Sequence, residues 1–174
     1  MSFRVETDRL LIRPWQPDER PVFERFVTDG EMIRYISHGR VWDKARVDAY
    51  FERQSRYLTE HGCCLGAAML KENNEIIGSG GIQPLENAGV FEFGWSIWKD
   101  YWNQGLATEM ALSLKEYAFK VLKLPLFVAI VDPPNRASIR VAEKLGMRYE
   151  GIRNAHELAN RYPELEVAYY ILEN

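Results

Sequence analysis

With 174 residues, 47% of them apolar and 27% charged, the chain is long enough to bury a substantial core and too apolar to be disordered or fibrous. A net charge of -3 and a pI near 5.7 argue against a general nucleic-acid binder and favour small or cationic partners, although a local basic patch can still hold a phosphate. No repeat, low-complexity tract or Gly/Ser/Pro-rich linker interrupts it, so one domain over 1–174 is expected.

The start, "MSFRVETDRL", lacks the continuous apolar core of a signal peptide, which predicts a cytoplasmic protein. "RVETDRLLIRPW" (4–15) reads as an opening strand, and Pro17 to Thr28 as a helix with Val22, Phe23, Phe26 and Val27 on its apolar face. A second helix covers 43–62, with Asp43 as N-cap and Gly62 as stop. The adjacent Cys63 and Cys64 cannot close a loop by disulfide, and no CxxC or His/Cys cluster suggests a metal.

Three strand-like runs follow, "CCLGAAML" (63–70), "EIIGSGGIQPL" (75–85) and "VFEFGWSIW" (90–98), joined by turns that suit antiparallel hairpins. Ala107, Met110, Ala111, Leu114, Ala118 and Val121 then recur at helical spacing until Pro125 forbids continuation. "LPLFVAIV" (124–131) is too short to cross a bilayer and reads as a buried strand. Asn135 to Leu145 forms a short helix ended by Gly146, and "MRYEGI" and "ELEVAYYIL" a final strand pair. The order βααβββαβαββ predicts an α/β or α+β fold, a mixed sheet with helices on both faces.

Between the third of those strands and its helix lies "YWNQGLATE" (101–109). A glycine turn feeding a helix start is the physical recipe for an anion site, because the first backbone N–H groups have no internal partners and carry the positive end of the helix dipole. Gly105 lets a ligand approach the backbone, Asn103 tolerates a left-handed conformation, and Ala107 keeps the next position small. A tight turn that merely starts a helix explains the same residues. "DPPNRASIRVAEKLGM" (132–147) adds a second strand-to-helix turn, capped by Asn135, at the same end of the sheet, where α/β folds hold ligands.

"YWNQGLATEM" and "NRASIRVAEKLGM", following "FEFGWSIW" and "ETDRLLIRPW", together resemble the GCN5-related N-acetyltransferases (GNAT), and more narrowly their ribosomal-protein-alanine (RimJ/RimL-like) branch. The resemblance runs from Glu6 to about Leu172. It implies a central mixed, mostly antiparallel sheet and acetyl-CoA-dependent transfer to an amine, with no metal. Asn103, Gln104, Gly105, Leu106, Ala107 and Thr108 would hold the CoA pyrophosphate through backbone amides. Trp95, Ser96, Ile97 and Trp98 would line the pantetheine arm, and Asn135 and Arg140 would meet the cofactor. Trp102 and Asn103 replace the Arg/Gln and Gly of the general family motif. The tyrosine that many relatives use as the acid is Ala142 here, which leaves Ser138 or water for that task. Tyr35 and Trp42 fall where this branch builds its acceptor pocket, a role that competes with plugging the core. The resemblance implies an acceptor that is a protein N-terminus or a small-molecule amine, and an exposed strand near the C-terminus could pair two subunits into a homodimer.

An amine attacking a thioester must shed a proton, which requires a base. Strand alternation puts Phe91, Phe93, Trp95 and Ile97 on one face and Glu92, Gly94 and Ser96 on the other. A carboxylate in the middle of an aromatic strand is costly to bury without a partner or a task, so Glu92 is the candidate base; pairing with an arginine or a solvated strand end are its structural explanations. Ser138 as acid competes with a capping role. His38, His61 and His156 read as surface or cap residues, and Arg136 and Arg140 as solvated unless they meet phosphates. The same residues allow a non-catalytic acyl-CoA-binding or regulatory module.

Overall fold

The computed structural model describes residues 3–36 and 39–174, and His38 lies outside them. Its strands are β1 Val5–Glu6, β2 Leu10–Arg13, β3 Leu65–Leu70, β4 Ile76–Leu85, β5 Val90–Ile97, β6 Leu126–Val131, β7 Arg148–Asn154 and β8 Glu166–Glu173. Its helices are α1 Arg20–Thr28, α2 Lys44–His61, α3 Leu106–Lys120, α4 Arg136–Lys144 and α5 Ala155–Leu158. One eight-stranded sheet runs in the order β1-β2-β3-β4-β5-β6-β8-β7, antiparallel throughout except for the parallel β5/β6 pair. The mixed, mostly antiparallel α/β sheet expected from the sequence is the observed fold.

Two expected elements are subdivided. The opening strand is a hairpin, because the Thr7 side chain turns the chain: its Oγ1 accepts from the Leu10 amide at 2.8 Å while the Thr7 amide donates to the Leu10 carbonyl at 2.9 Å. The first helix begins as a 3-10 turn at Pro17–Glu19, and α1 proper starts at Arg20. Pro21 causes the break, since its ring would clash with the preceding turn of a continuous α-helix but is tolerated at a helix start. An additional short helix, α5, falls between the last two strands, where Asn154 caps it by accepting from the His156 amide at 2.9 Å.

Alternation along β5 sends its residues to two layers. Phe93 and Ile97 pack with α3 and α4 in the larger core, whose fully buried members include Met110, Leu114 and Phe127. On the opposite face α1 and α2 gather Phe23, Phe26, Val47 and Tyr50, with Phe23 stacked on Tyr50 at 4.3 Å between ring centroids. α3 sits close to the sheet because β4 carries Gly80 beneath it; a Cβ there would collide with Met110 Sδ.

The start of α3 is tied to the β1–β2 hairpin by ionic hydrogen bonds. Glu109 accepts from the Thr7 hydroxyl, from the Arg9 amide at 3.0 Å and from Arg9 Nε at 2.6 Å, and Arg9 Nη1 also donates to the Gln104 carbonyl at 3.1 Å. Partial burial would raise the Glu109 pKa, but the Thr7 hydroxyl and the Arg9 amide and guanidinium outweigh it, and the carboxyl is held below its ordinary 4.5. A depressed carboxyl contributes stability above its unfolded pKa and loses it as pH falls through the folded value. Glu109→Gln should therefore lower stability at pH 7 by about 1 kcal/mol, or ~2–4 °C in Tm after allowance for solvent screening. Thermal unfolding across pH should show the gap between variant and wild type closing below about pH 4.5; a gap independent of pH would mean the carboxylate's charge is immaterial.

Candidate active site

β5 is zipped to β4 along its whole length, from Leu85↔Val90 to Gly78↔Ile97, but is registered with β6 only at Glu92↔Val128. At that point the pair is clasped on the core side by Phe93 stacked on Phe127, ring centroids 3.6 Å apart. Further along, the strands part. Because a strand presents half of its N–H and C=O groups to each neighbour, the β6 side of β5 beyond Glu92 is open backbone. A cavity of about 470 Å³ fills this end of the sheet, lined by Glu92 to Ser96 of β5, Ile130 to Asp132, Asn135 and Ser138, and closed over by Tyr35, Trp42 and the inner face of α2.

Glu92 sits where the strands divide and is 3% exposed. All of its hydrogen bonds fall on one oxygen: Oε1 accepts from Gln83 Nε2, from the Tyr162 hydroxyl and from Arg161 Nη2 at 3.2 Å. Oε2 is buried and has no donor among the described residues. The Gln83 amide is oriented from behind, since its Oε1 accepts from Gln54 Nε2 at 2.8 Å and Gln54 Oε1 accepts from the Leu65 amide at 2.8 Å. An amide donates at one end and accepts at the other, so this chain fixes each side chain's direction. Arg161 is anchored by Glu86 and by the Pro84 carbonyl at 3.0 Å. Burial, then the nearby Glu92 charge, push the Tyr162 hydroxyl far above its ordinary range, so it stays protonated and donates.

Of the structural explanations of Glu92 open to the sequence, pairing with an arginine is present and a solvated strand end is not, since the side chain is buried; it also lines the cavity. The structure also brings in residues that sequence reasoning missed. Arg161 and Tyr162 lie in the loop between α5 and β8, with no periodicity to expose them. Gln83, a polar side chain inside the apolar run "GIQPL", was the available signal.

The turn before α3 has the expected backbone, with Asn103 at φ 60° and Gly105 at φ 78°. Gly105 is the N-cap and provides no side-chain cap, and the first amide to find a helical acceptor is that of Glu109, 3.0 Å from the Gly105 carbonyl. The amides of Leu106, Ala107 and Thr108 thus point out of the helix start. Gln104 Nε2 reaches the Asp100 carbonyl at 3.3 Å, and Trp102 Nε1 donates to the Ile97 carbonyl at 2.6 Å. These amides, without a hydrogen-bond partner among the described residues and beside the left-handed Gly105, fit an anionic group such as a pyrophosphate.

Other candidates divide. Trp95, Ser96, Asn135, Ser138, Tyr35 and Trp42 all line the cavity. Ile97 is buried in the core with its carbonyl engaged by Trp102 Nε1, and Trp98 packs edge-on to Phe26 with its amide donating to the Ile77 carbonyl at 2.7 Å, so neither lines the cavity. Asn135 Oδ1 accepts from the Ser138 amide at 3.1 Å, which caps α4 and leaves the Ser138 hydroxyl for other use. Ala142 is fully buried. Arg140 and Arg136 are exposed and do not line the cavity. His61 lies against Glu60 at 3.8 Å on the surface, and His156 Nδ1 meets the Tyr162 carbonyl at 2.9 Å. Among the described residues no His/Cys/Asp/Glu group is built to hold a metal ion, and no helix is long and apolar enough to cross a membrane.

Residues 9–148 match the family model of the acetyltransferase (GNAT) domain. An N-acetyltransferase of Bacillus subtilis, YnaD, described as uncharacterized, is 30% identical over 148 residues, 84% of each chain. An acetyltransferase from Agrobacterium tumefaciens has a solved structure that superposes over 100% of this chain and 96% of its own, with a TM-score of 0.84 at 26% identity. The fold is also shared by RimL, a ribosomal L7/L12 alpha-N-protein acetyltransferase solved in complex with coenzyme A: TM-score 0.75, 17% identity, 98% of each chain covered. With the family model spanning most of its length and a divided sheet opening onto a buried carboxylate, the chain belongs to the acetyltransferase (GNAT) family.

Proposed function

We propose that the chain acetylates a primary amine in the cavity where β5 and β6 part, by direct attack of the amine, with Glu92 as general base. The observation that carries this reading is the asymmetry of the Glu92 carboxylate. Three donors pin Oε1, whereas Oε2 is buried and has no donor among the described residues. Acetyl-CoA, when bound, supplies an acyl group activated as a thioester. The amides of Gln104 to Thr108 are the donors for its pyrophosphate, the open side of β5 from Trp95 to Trp98 holds its pantetheine arm, and Asn135 and Arg140 are the further contacts.

Glu92 Oε2 takes the proton that frees the amine lone pair, and β5 backbone N–H groups are the available donors to a carbonyl oxygen that gains negative charge. The Ser138 hydroxyl, or water, returns a proton to the leaving sulfur. Tyr35 and Trp42 wall the acceptor end. Resemblance to the RimJ/RimL-like branch, supported by a shared fold with RimL, makes peptide N-termini acceptors to test beside small-molecule amines. A non-catalytic acyl-CoA-binding module gives the unpartnered Glu92 oxygen no task.

Glu92→Gln keeps the side-chain shape and removes the base. Thiol release from acetyl-CoA, across amines that the wild type accepts, should fall by about 10²–10⁴-fold in kcat/KM, with the CoA-induced rise in Tm retained. Equal rates would remove Glu92 from the mechanism. Gly105→Val forces a β-branched residue into φ 78°, at a cost of ~1–3 kcal/mol. The ligand-free variant should stay folded, and CoA at a hundredfold over the wild-type Kd, which stabilises wild type by about 2.7 kcal/mol, should leave its Tm unmoved. An unchanged CoA shift would place the pyrophosphate elsewhere.

A further inference from the structure

Among the buried side-chain atoms of the cavity, unmatched hydrogen-bond donors outnumber unmatched acceptors. Among the buried side-chain atoms of the described residues lining it, three N–H groups find no acceptor, Arg53 Nε, Arg161 Nε and Trp42 Nε1, and one oxygen finds no donor, Glu92 Oε2. Unmet polar groups at such depth are rare in folded proteins and mark places where a ligand supplies the missing partner. The charge follows the same pattern. Three arginines line the cavity, Arg46, Arg53 and Arg161, against the two carboxylates Glu92 and Asp132. Arg161 is engaged by Glu86 and Glu92, whereas Arg53 has no ion pair among the described residues and lies over the Tyr50 ring at 5.8 Å. Burial, and then repulsion from Arg161, weaken the charged form of the Arg53 guanidinium.

We infer that the acceptor carries an anionic group, a carboxylate or a phosphate, within a few bonds of its amine, and that Arg53 receives this anion while Glu92 receives the amine's proton. The inference rests on the acetyltransferase reading above. An ammonium with further positive charge beside it, as in a polyamine or aminoglycoside, would satisfy Glu92 Oε2 but stand against Arg53 and Arg161. A molecule bearing both signs meets both walls, and a planar guanidinium fork suits the two oxygens of a carboxylate or phosphate.

Matched acceptors that differ in one group test this directly: free amino acids against their carboxamides, and 2-aminoethyl phosphate against ethanolamine. Thiol release with wild type, Arg53→Gln and Arg53→Lys gives kcat/KM for each member. Wild type should prefer the anionic member of at least one pair by about tenfold or more, chiefly through KM. The ratio should fall to near one in Arg53→Gln and be partly kept in Arg53→Lys. Each ratio compares two ligands on one protein, so partial misfolding cancels. Which pair shows the preference separates carboxylate from phosphate.

Calorimetric binding of N-acetyl amino acids and their N-acetyl amides to the CoA-loaded proteins, with N-acetyl-2-aminoethyl phosphate alongside, reads the same preference without turnover. Anion-selective binding lost in Arg53→Gln, alongside no turnover of any amine, would defeat the acetyltransfer reading and uphold the anion site. Equal handling of charged and neutral members by wild type, or a preference unchanged in Arg53→Gln, would overturn the inference.

Discussion

Burying a carboxylate in the middle of a sheet is costly unless its surroundings repay the lost hydration, and the way Glu92 is repaid organises much of this molecule. A side-chain relay reaches it from the Leu65 amide through Gln54 and Gln83, linking β3, α2, β4 and β5. From the other side the loop between α5 and β8 delivers Arg161 and Tyr162, and Arg161 in turn holds the β4–β5 hairpin through Pro84 and Glu86. Every one of these donors is spent on a single oxygen. A carboxylate kept for structure alone would be expected to have both oxygens satisfied, because the second costs as much to desolvate as the first.

The division of β5 from β6 gives that remaining oxygen something to face. Phe93 and Phe127 clasp the two strands on the core side at the level of Glu92, and beyond this clasp the sheet opens without losing its layer of α3 and α4. The open side of β5 runs from Glu92 toward the end from which the chain passes into the start of α3, whose turn residues are not among those lining the cavity. The Thr7–Arg9–Glu109 bridge fixes the start of α3 from a distant part of the chain, with Arg9 holding the Gln104 carbonyl.

Much of this was legible in the sequence where local rules dominate. Strand alternation in "VFEFGWSIW" placed Glu92 opposite Phe93, and the unbroken register of β5 with β4 preserves that parity. The left-handed conformations at Asn103 and Gly105 followed from the residue types that tolerate them. What stayed hidden depends on contacts distant in sequence. Arg161 and Tyr162 lie about seventy residues from Glu92 in an irregular loop, so no spacing announces them. The opening hairpin was missed because its turn contains neither glycine nor proline and is made by the Thr7 hydroxyl. The donor excess around Arg53 is a property of three elements converging and cannot be seen along any one of them.

The central claim is that the parted strands and the start of α3 form one binding surface leading to Glu92. The most direct test is a crystal structure of the protein with coenzyme A. The account predicts pyrophosphate oxygens within hydrogen-bond distance of the Gln104 to Thr108 amides, the pantetheine arm between β5 and β6, and the sulfur in the cavity lined by Glu92. Coenzyme A bound away from the parted strands, or with its sulfur outside that cavity, would contradict it.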